Sequence, residues 1–213
     1  MKTTLLLVRH GESLGNRDQL FLGHTDLGLT DLGHRQAEAL AAALRERHID
    51  AVYSSDLLRA VETVFPAASE HGLAVIPRRG LREIFAGDWE RQNYDELAVR
   101  WPKERAVWKE NIGFACPPGG ESVMELYARV EQTLAVIAAE NEGKTVLCGT
   151  HATPVRAITA HLMGLGLEGM ASVPWAPNAS ITTIVYENGV PSLASAADDR
   201  HLAGIVTFVP KSI

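Results

Sequence analysis

The 213-residue chain has few cysteines, no long hydrophobic run and no basic stripe. Its only two cysteines, Cys116 and Cys148, lie far apart and lack metal-ligand spacing, so neither a disulfide framework nor a zinc site is expected. The apolar run near the N-terminus ends at Arg9 and is too short for a membrane span. The net charge is -6 and there is no basic stripe, so nucleic acid and membrane are not expected as partners. We expect a soluble, cytoplasmic protein.

The composition and the hydrophobic pattern predict an α/β fold. Hydrophobic residues make up 46% of the chain and charged residues 22%, which is typical of a globular protein. The pattern predicts strands at 5–8, 49–53, 73–76 and 145–148, and a hairpin of 181–186 with 191–196 around Asn188-Gly189. Helices are predicted at 31–47, 56–68, 121–140 and 154–163, with Thr30 capping the first and Ser54-Ser55 the second.

This alternation of strands and helices predicts a three-layer α/β/α architecture with a mostly parallel central sheet. We expect one domain over residues 1–213. Between residues 84 and 120 the periodicity loosens and three tryptophans are scattered among charged residues. We interpret this stretch as a helical insertion that covers the active site and the tryptophans as its core.

Two of the predicted strands end at a histidine. His10 follows Arg9 at the end of the first strand, and His151 follows the strand at 145–148. Because ligands of open α/β sheets bind beyond the carboxyl ends of the strands, both imidazoles could face one site. Arg9 and Arg59 would add planar, permanently charged groups suited to phosphoryl oxygens, and Gly11 would let the backbone approach an anion. These residues together are suited to phosphoryl transfer.

Six motifs in order resemble those of the histidine phosphatase superfamily, also called the phosphoglycerate mutase-like family. The first is Leu-Val-Arg-His-Gly-Glu-Ser at 7–13, and the others occupy 29–37, 54–63, 81–90, 118–122 and 150–156. The series covers nearly the whole chain and points to the phosphatase branch. The resemblance implies the three-layer fold with a helical insertion over the site, and it implies an enzyme.

The resemblance also implies roles for individual residues. His10 would attack phosphorus and become a phosphohistidine, while Arg9, Arg59 and His151 would hold the phosphoryl oxygens. Glu83 would protonate the leaving oxygen and then activate a water molecule.

Further positions match family residues that bind phosphate or substrate: Gly11, Asn16, Gly23 and Ala152. Ala152 stands where the family usually has glycine, which places a methyl group near the anion. No metal and no cofactor are implied, because arginine and histidine supply the positive charge. Glu12, Asp88 and Glu90 remain alternatives to Glu83 as the acid, and the other six histidines are interpreted as ordinary surface or core residues.

Three functions are compatible with these residues: a hydrolase of a small soluble phosphomonoester, a cofactor-dependent phosphoglycerate mutase, and a binding or regulatory domain without catalysis. The last is disfavoured because all five catalytic positions are filled. Leu22 and Thr153 depart from the mutase pattern. The interval from Glu83 to His151 is also short and lacks the paired arginines of mutases, since Arg78-Arg79 precedes Glu83.

We therefore favour the hydrolase. The pocket would be shaped by Leu22, the region 85–108 and Trp175. The particular phosphomonoester and the oligomeric state, with a homodimer as one option, stay open.

Overall fold

The computed structural model describes residues 1–207 of the chain, and within them six strands and seven α-helices are found. The strands are β1 (Lys2–Arg9), β2 (Ala51–Ser54), β3 (Val75–Pro77), β4 (Thr145–Thr150), β5 (Ile181–Glu187) and β6 (Val190–Asp198). The helices are α1 (Leu14–Arg17), α2 (Asp31–Leu44), α3 (Leu58–Glu70), α4 (Tyr94–Arg100), α5 (Pro102–Glu110), α6 (Val123–Glu140) and α7 (Ala152–Leu162). None of these helices is both long and apolar enough to cross a membrane.

The strands form one mixed sheet in the order β3-β2-β4-β1-β5-β6. The first four strands are parallel, whereas β5 and β6 run antiparallel at one edge. The predicted hairpin is confirmed between β5 and β6, and its two turn residues, Asn188 and Gly189, have φ of 52° and 80°, as a two-residue turn of this kind requires. In β1 and β4, Arg9 lies opposite Thr150, so both strands end at the same edge of the sheet.

The alternation of side chains in β1 divides the core between the two faces of the sheet. Leu5 and Leu7 belong to the cluster that includes buried residues of α6 and α7, while Leu6 and Val8 belong to the cluster formed with α2 and α3. All four side chains are fully buried, as expected for a strand covered on both faces. The predicted three-layer α/β/α architecture is confirmed.

The start of α2 agrees with the prediction. The Thr30 side chain accepts a hydrogen bond from the Gly33 N–H at the start of α2, as predicted. The helix predicted at 56–68 is present as α3, but its predicted cap was wrong: the N-cap is Leu57, which makes no side-chain cap. Ser55 instead lies two residues before that position, and its hydroxyl contacts the His151 ring.

The predicted helical insertion consists of α4, α5 and short 3-10 turns at Gly87–Trp89 and Ile112–Phe114. Trp89 and Trp108 are buried and make edge-on contacts with Phe21, at ring-centroid distances of 5.4 and 5.0 Å. The insertion is thus packed onto the segment that follows α1. The interpretation of its tryptophans as core holds for Trp89, whereas Trp108 also borders the cavity described next.

Candidate active site

A cavity that is open to solvent lies at the carboxyl edge of β1 and β4. Most of the predicted site residues line it: Arg9, His10, Asn16, Gly23, Arg59, Glu83 and Ala152. Two predicted residues do not line it. His151 is fully buried and lies directly against His10, with ring centroids 5.2 Å apart. Gly11 is buried next to His10.

The His10 ring is held in one orientation. Its Nδ1 lies 2.7 Å from the Gly11 carbonyl oxygen, and because a carbonyl can only accept, Nδ1 carries the proton and Nε2 has the free lone pair. The pKa of His10 lies well below its usual range because the ring is buried and because Arg59 and Arg9 are nearby. The ring is therefore neutral near pH 7, which is the nucleophilic form.

The main chain around His10 is held by side chains that the motifs did not single out. Asn178 Nδ2 donates to the His10 carbonyl at 2.9 Å, and the Gly11 N–H donates to Thr63 Oγ1 at 2.8 Å. That N–H is therefore committed to Thr63. A Cβ on Gly11 would lie 2.8 Å from the Gly33 carbonyl oxygen, so close packing against α2 is one reason for glycine at this position.

Two arginines are buried in the wall of the cavity. Arg9 donates to the Ala176 carbonyl at 2.6 Å, and Arg59 donates to the carbonyls of Thr25 and Gly23 at 2.9 and 2.8 Å. Neither Nε has a hydrogen-bond partner among the described residues. Burial lowers the pKa of each guanidinium to about 10, so both remain charged at pH 7. Each keeps N–H donors that an anion in the cavity could use.

His151 packs behind His10. Its Nε2 lies 2.8 Å from the Ser55 hydroxyl, while its Nδ1 is buried without a partner in residues 1–207. Burial and then Arg59 hold the pKa of His151 well below its usual range. The site thus contains two neutral imidazoles in contact beside two buried cations.

Among the described residues that line the cavity, Glu83 is the only carboxylate. Its Oε1 accepts a hydrogen bond from the Ile84 N–H at 2.9 Å and its Oε2 one from the Thr153 N–H at 3.3 Å. The three alternative acids lie elsewhere: Glu12 accepts from the Thr30 hydroxyl, Glu90 from the Thr25 hydroxyl, and Asp88 lies outside the lining. The geometry therefore favours Glu83 over these three residues.

The loop that carries Glu83 is fixed from two directions. Arg129, on α6, donates to the carbonyls of Gly80, Arg82 and Glu83 and forms an ion pair with Glu121 at 2.6 Å. His24 Nε2 donates to the Glu83 carbonyl at 2.9 Å. Neither residue could be found from the sequence, because both act on main-chain atoms of a distant loop.

Asn16 and Gly23 complete the side of the cavity next to α1. The Asn16 side-chain oxygen accepts from Ser13 and from Asn178 at 3.0 to 3.2 Å, so only its NH₂ group could donate to an anion. Gly23 has φ of 52°, and a Cβ there would lie 2.6 Å from the Ala86 Cβ. Only glycine fits this position, where the carbonyl also holds Arg59.

The rest of the lining is mainly apolar, and half of its residues were predicted. It comprises Ser13, Leu20, Phe21, Leu22, Tyr94, Trp108, Thr153 and Trp175, of which Leu22, Trp175 and the 85–108 region were expected. Among the described residues, no group of three or more His, Cys, Asp or Glu side chains is placed to hold a metal ion.

Comparisons with known proteins agree with this geometry. A profile of the histidine phosphatase superfamily (branch 1) matches residues 5–199. Phosphoserine phosphatase 1 of Hydrogenobacter thermophilus is 33% identical over 183 residues, which cover 86% of each chain. The 2,3-bisphosphoglycerate-dependent phosphoglycerate mutase of Allorhizobium ampelinum is 32% identical over 206 residues, 93% of this chain and 96% of that protein.

A solved structure shares the fold over nearly the same span. The native structure of a mycobacterial glucosyl-3-phosphoglycerate phosphatase superposes with a TM-score of 0.83 at 27% identity, and covers 93% of this chain and 100% of the other. The relatives are phosphatases and mutases, and the resemblance carried by the six motifs is confirmed. The chain therefore belongs to the histidine phosphatase superfamily, branch 1.

Proposed function

We propose that the protein hydrolyses a small soluble phosphomonoester through a phosphohistidine on His10. The observation that carries the proposal is the state of the His10 ring, which is neutral, fixed by its Nδ1–H and set in the wall of a cavity beside two buried arginines. A free lone pair on Nε2 next to fixed positive charge is what attack on a phosphate monoester requires.

In the first step, His10 Nε2 forms a bond to phosphorus and the bond from phosphorus to the leaving oxygen breaks. Arg9 and Arg59 stabilise the charge on the phosphoryl oxygens during this transfer. His151 does not line the cavity and instead supports the His10 ring, with which it is in contact. Asn16 donates through its NH₂ group, and Gly23 and Ala152 form the wall on either side. The arginines supply the positive charge, so the proposed reaction needs no metal.

Glu83 completes the cycle as an acid and then a base. In its protonated form it gives its proton to the leaving oxygen, and the alcohol departs. Its carboxylate then takes a proton from a water molecule whose oxygen attacks the phosphohistidine, which releases inorganic phosphate and restores neutral His10. The position of Glu83 as the one carboxylate in the lining of the described site supports this role.

Hydrolysis is favoured over mutase activity by the residues around the cavity. Leu22 and Thr153, which depart from the mutase pattern, both line it. Arg9 and Arg59 are the only cationic side chains in the lining that the structure describes. A third cation, which would hold a substrate carboxylate and retain the intermediate for return transfer, is not among those residues. Water would therefore be the acceptor.

The proposal is tested with a panel of phosphomonoesters assayed for phosphate release and, with 3-phosphoglycerate, for conversion to 2-phosphoglycerate. We expect phosphate release at a rate that a chelator does not change, and little isomerisation even with 2,3-bisphosphoglycerate present. Isomerisation that outpaces phosphate release would overturn the hydrolase in favour of the mutase. A protein that does neither would be a binding domain.

A further inference from the structure

The part of the cavity away from the arginines is bounded by aromatic and aliphatic side chains. They are Leu20, Phe21, Leu22, Tyr94, Trp108 and Trp175. Phe21, Tyr94 and Trp108 are buried with less than a tenth of their surface exposed. This wall lies where the alcohol part of a phosphomonoester would extend once its phosphate is held by Arg9 and Arg59.

The wall offers flat surfaces but no charge. Trp108 and Trp175 lie nearly parallel, with ring planes 22° apart and centroids 6.5 Å apart. Arg9 and Arg59, the only arginines in the described lining, are already directed at the phosphate position by main-chain carbonyls. A leaving group with a carboxylate would be desolvated here without a partner, which is costly, whereas an apolar ring would gain contact area.

Trp175 is fixed in the wall by Arg156 of α7. The Arg156 guanidinium lies 4.3 Å from the Trp175 ring centroid, in a cation–π contact. The same group donates to the carbonyls of Val173 and Ala171 at 2.7 and 2.9 Å. It therefore joins the ring to the loop that carries it. Arg156 belongs to the last of the six sequence motifs but does not line the cavity.

We infer that the preferred substrates are monoesters of uncharged alcohols or phenols with a flat apolar face, that Trp175 is a specificity-determining residue, and that Arg156 is the residue that positions it. This inference rests on the proposed phosphatase activity and deepens it. It distinguishes the protein from phosphatases that act on amino acid or hydroxy acid phosphates. The leaving groups of those substrates carry a charge next to the ester.

The test compares kcat/KM for 1-naphthyl phosphate, phenyl phosphate and phosphoserine. The two aryl esters have similar leaving groups and differ mainly in apolar area. The ratio of their kcat/KM values therefore measures contact of the leaving group with the wall. This ratio does not depend on the fraction of active enzyme. We expect the wild type to prefer the naphthyl over the phenyl ester by about tenfold. We also expect kcat/KM for phosphoserine to lie below that for the naphthyl ester by more than that factor.

Variants assign the preference to the two residues. Trp175→Ala should reduce the naphthyl-to-phenyl ratio to near one, mainly by raising KM for the naphthyl ester. Arg156→Lys keeps the charge but cannot bridge the ring and two carbonyls, so the ratio should fall several-fold. In the double variant the ratio should fall no further than in Trp175→Ala, because Arg156 acts through Trp175. Trp101→Ala is the matched control, since Trp101 packs against Arg100 outside the cavity lining, and its ratio should equal the wild-type value.

The outcomes separate this inference from the proposed function. A wild-type protein that hydrolyses none of the esters would overturn the phosphatase activity itself. Efficient hydrolysis with equal kcat/KM for the two aryl esters, or with phosphoserine preferred, would overturn the inference and leave the activity standing. Arg156→Lys with a lowered melting temperature and an unchanged ratio would show that Arg156 only stabilises the fold.

Discussion

At the scale of single residues, the chemistry of the site depends on protons held at particular atoms. One carbonyl, that of Gly11, fixes the proton of His10 on Nδ1, and burial keeps both His10 and His151 neutral. Arg9 and Arg59 remain charged because burial lowers the pKa of each only to about 10. The site therefore holds neutral imidazoles and charged guanidinium groups at the same pH, which an exposed cluster of the same residues would not do.

The role of Glu83 is tested with glutamine, which has a similar shape but no carboxyl proton to donate. We expect Glu83→Gln to lower kcat/KM for alkyl phosphates by about 10²- to 10⁴-fold, because their alkoxide leaving groups need a proton. p-Nitrophenyl phosphate should be affected much less, since its phenolate leaves without one. The measurement is kcat/KM for a series of esters of graded leaving-group acidity.

Glu90→Gln is the matched control for this series, because Glu90 accepts hydrogen bonds from Thr25 and His24 outside the cavity lining. Its effect should be the same for every ester. A uniform loss across the series in Glu83→Gln, or a loss that grows with poorer leaving groups in Glu90→Gln, would assign the acid to another residue.

At the scale of elements, the site forms where two adjacent parallel strands end. β1 and β4 deliver His10 and His151 to one edge because their registers align Arg9 with Thr150. Helix α2 then packs tightly on the loop after β1: a Cβ on Gly33 would lie 2.1 Å from the Glu12 carbonyl oxygen. The glycine of the second motif is thus explained by close packing on the catalytic loop.

Strands and helices with strong periodicity could be predicted from the sequence, together with Arg9, His10, Arg59, Glu83 and His151. Their positions follow from local patterns and from motifs that occur in a fixed order. The cap of α3 was predicted wrongly because serine is a common cap, but Ser55 is directed to His151 by tertiary packing.

The apolar half of the cavity could be predicted only in part. Leu20 and Phe21 come from the segment after α1, Tyr94 and Trp108 from the insertion, and Trp175 from the loop before β5. The sequence predicted that these three segments meet, through Leu22, the region 85–108 and Trp175, but it did not identify Leu20 and Phe21. It did not identify Arg129 either, whose partners are main-chain oxygens almost fifty positions away.

At the scale of the whole molecule, burying neutral histidines couples the stability of the fold to pH. The pKa values of His10, His24, His151 and His201 are all lowered, in each case mainly by burial. In the unfolded chain these rings take up protons below about pH 6.5, whereas in the folded protein they resist doing so. The contribution of these histidines to the free energy of unfolding is therefore fully present above that pH and decreases as the pH falls.

We expect the free energy of unfolding to decrease between pH 6.5 and 5 by up to about 1.4 kcal/mol per pH unit for each histidine that stays neutral. Denaturant unfolding at a series of pH values measures this slope. The double variant His10→Asn, His151→Asn should show a shallower slope than the wild type. A free energy of unfolding that is constant over this interval, or an equal slope in the double variant, would contradict the neutral state of the two rings.

The central claim is that the phosphoryl group passes through His10, and trapping the intermediate tests it most directly. Enzyme mixed with substrate is quenched in denaturing base, where phosphohistidine survives, and its peptides are mapped by mass. Glu83→Gln serves as a second sample, because slower attack by water should raise the trapped fraction. We expect no more than one phosphoryl group per chain, located on His10, a larger trapped fraction in Glu83→Gln, and no phosphoryl group in His10→Asn. Turnover with no phosphoryl group on the protein, or with the group on another residue, would contradict the mechanism.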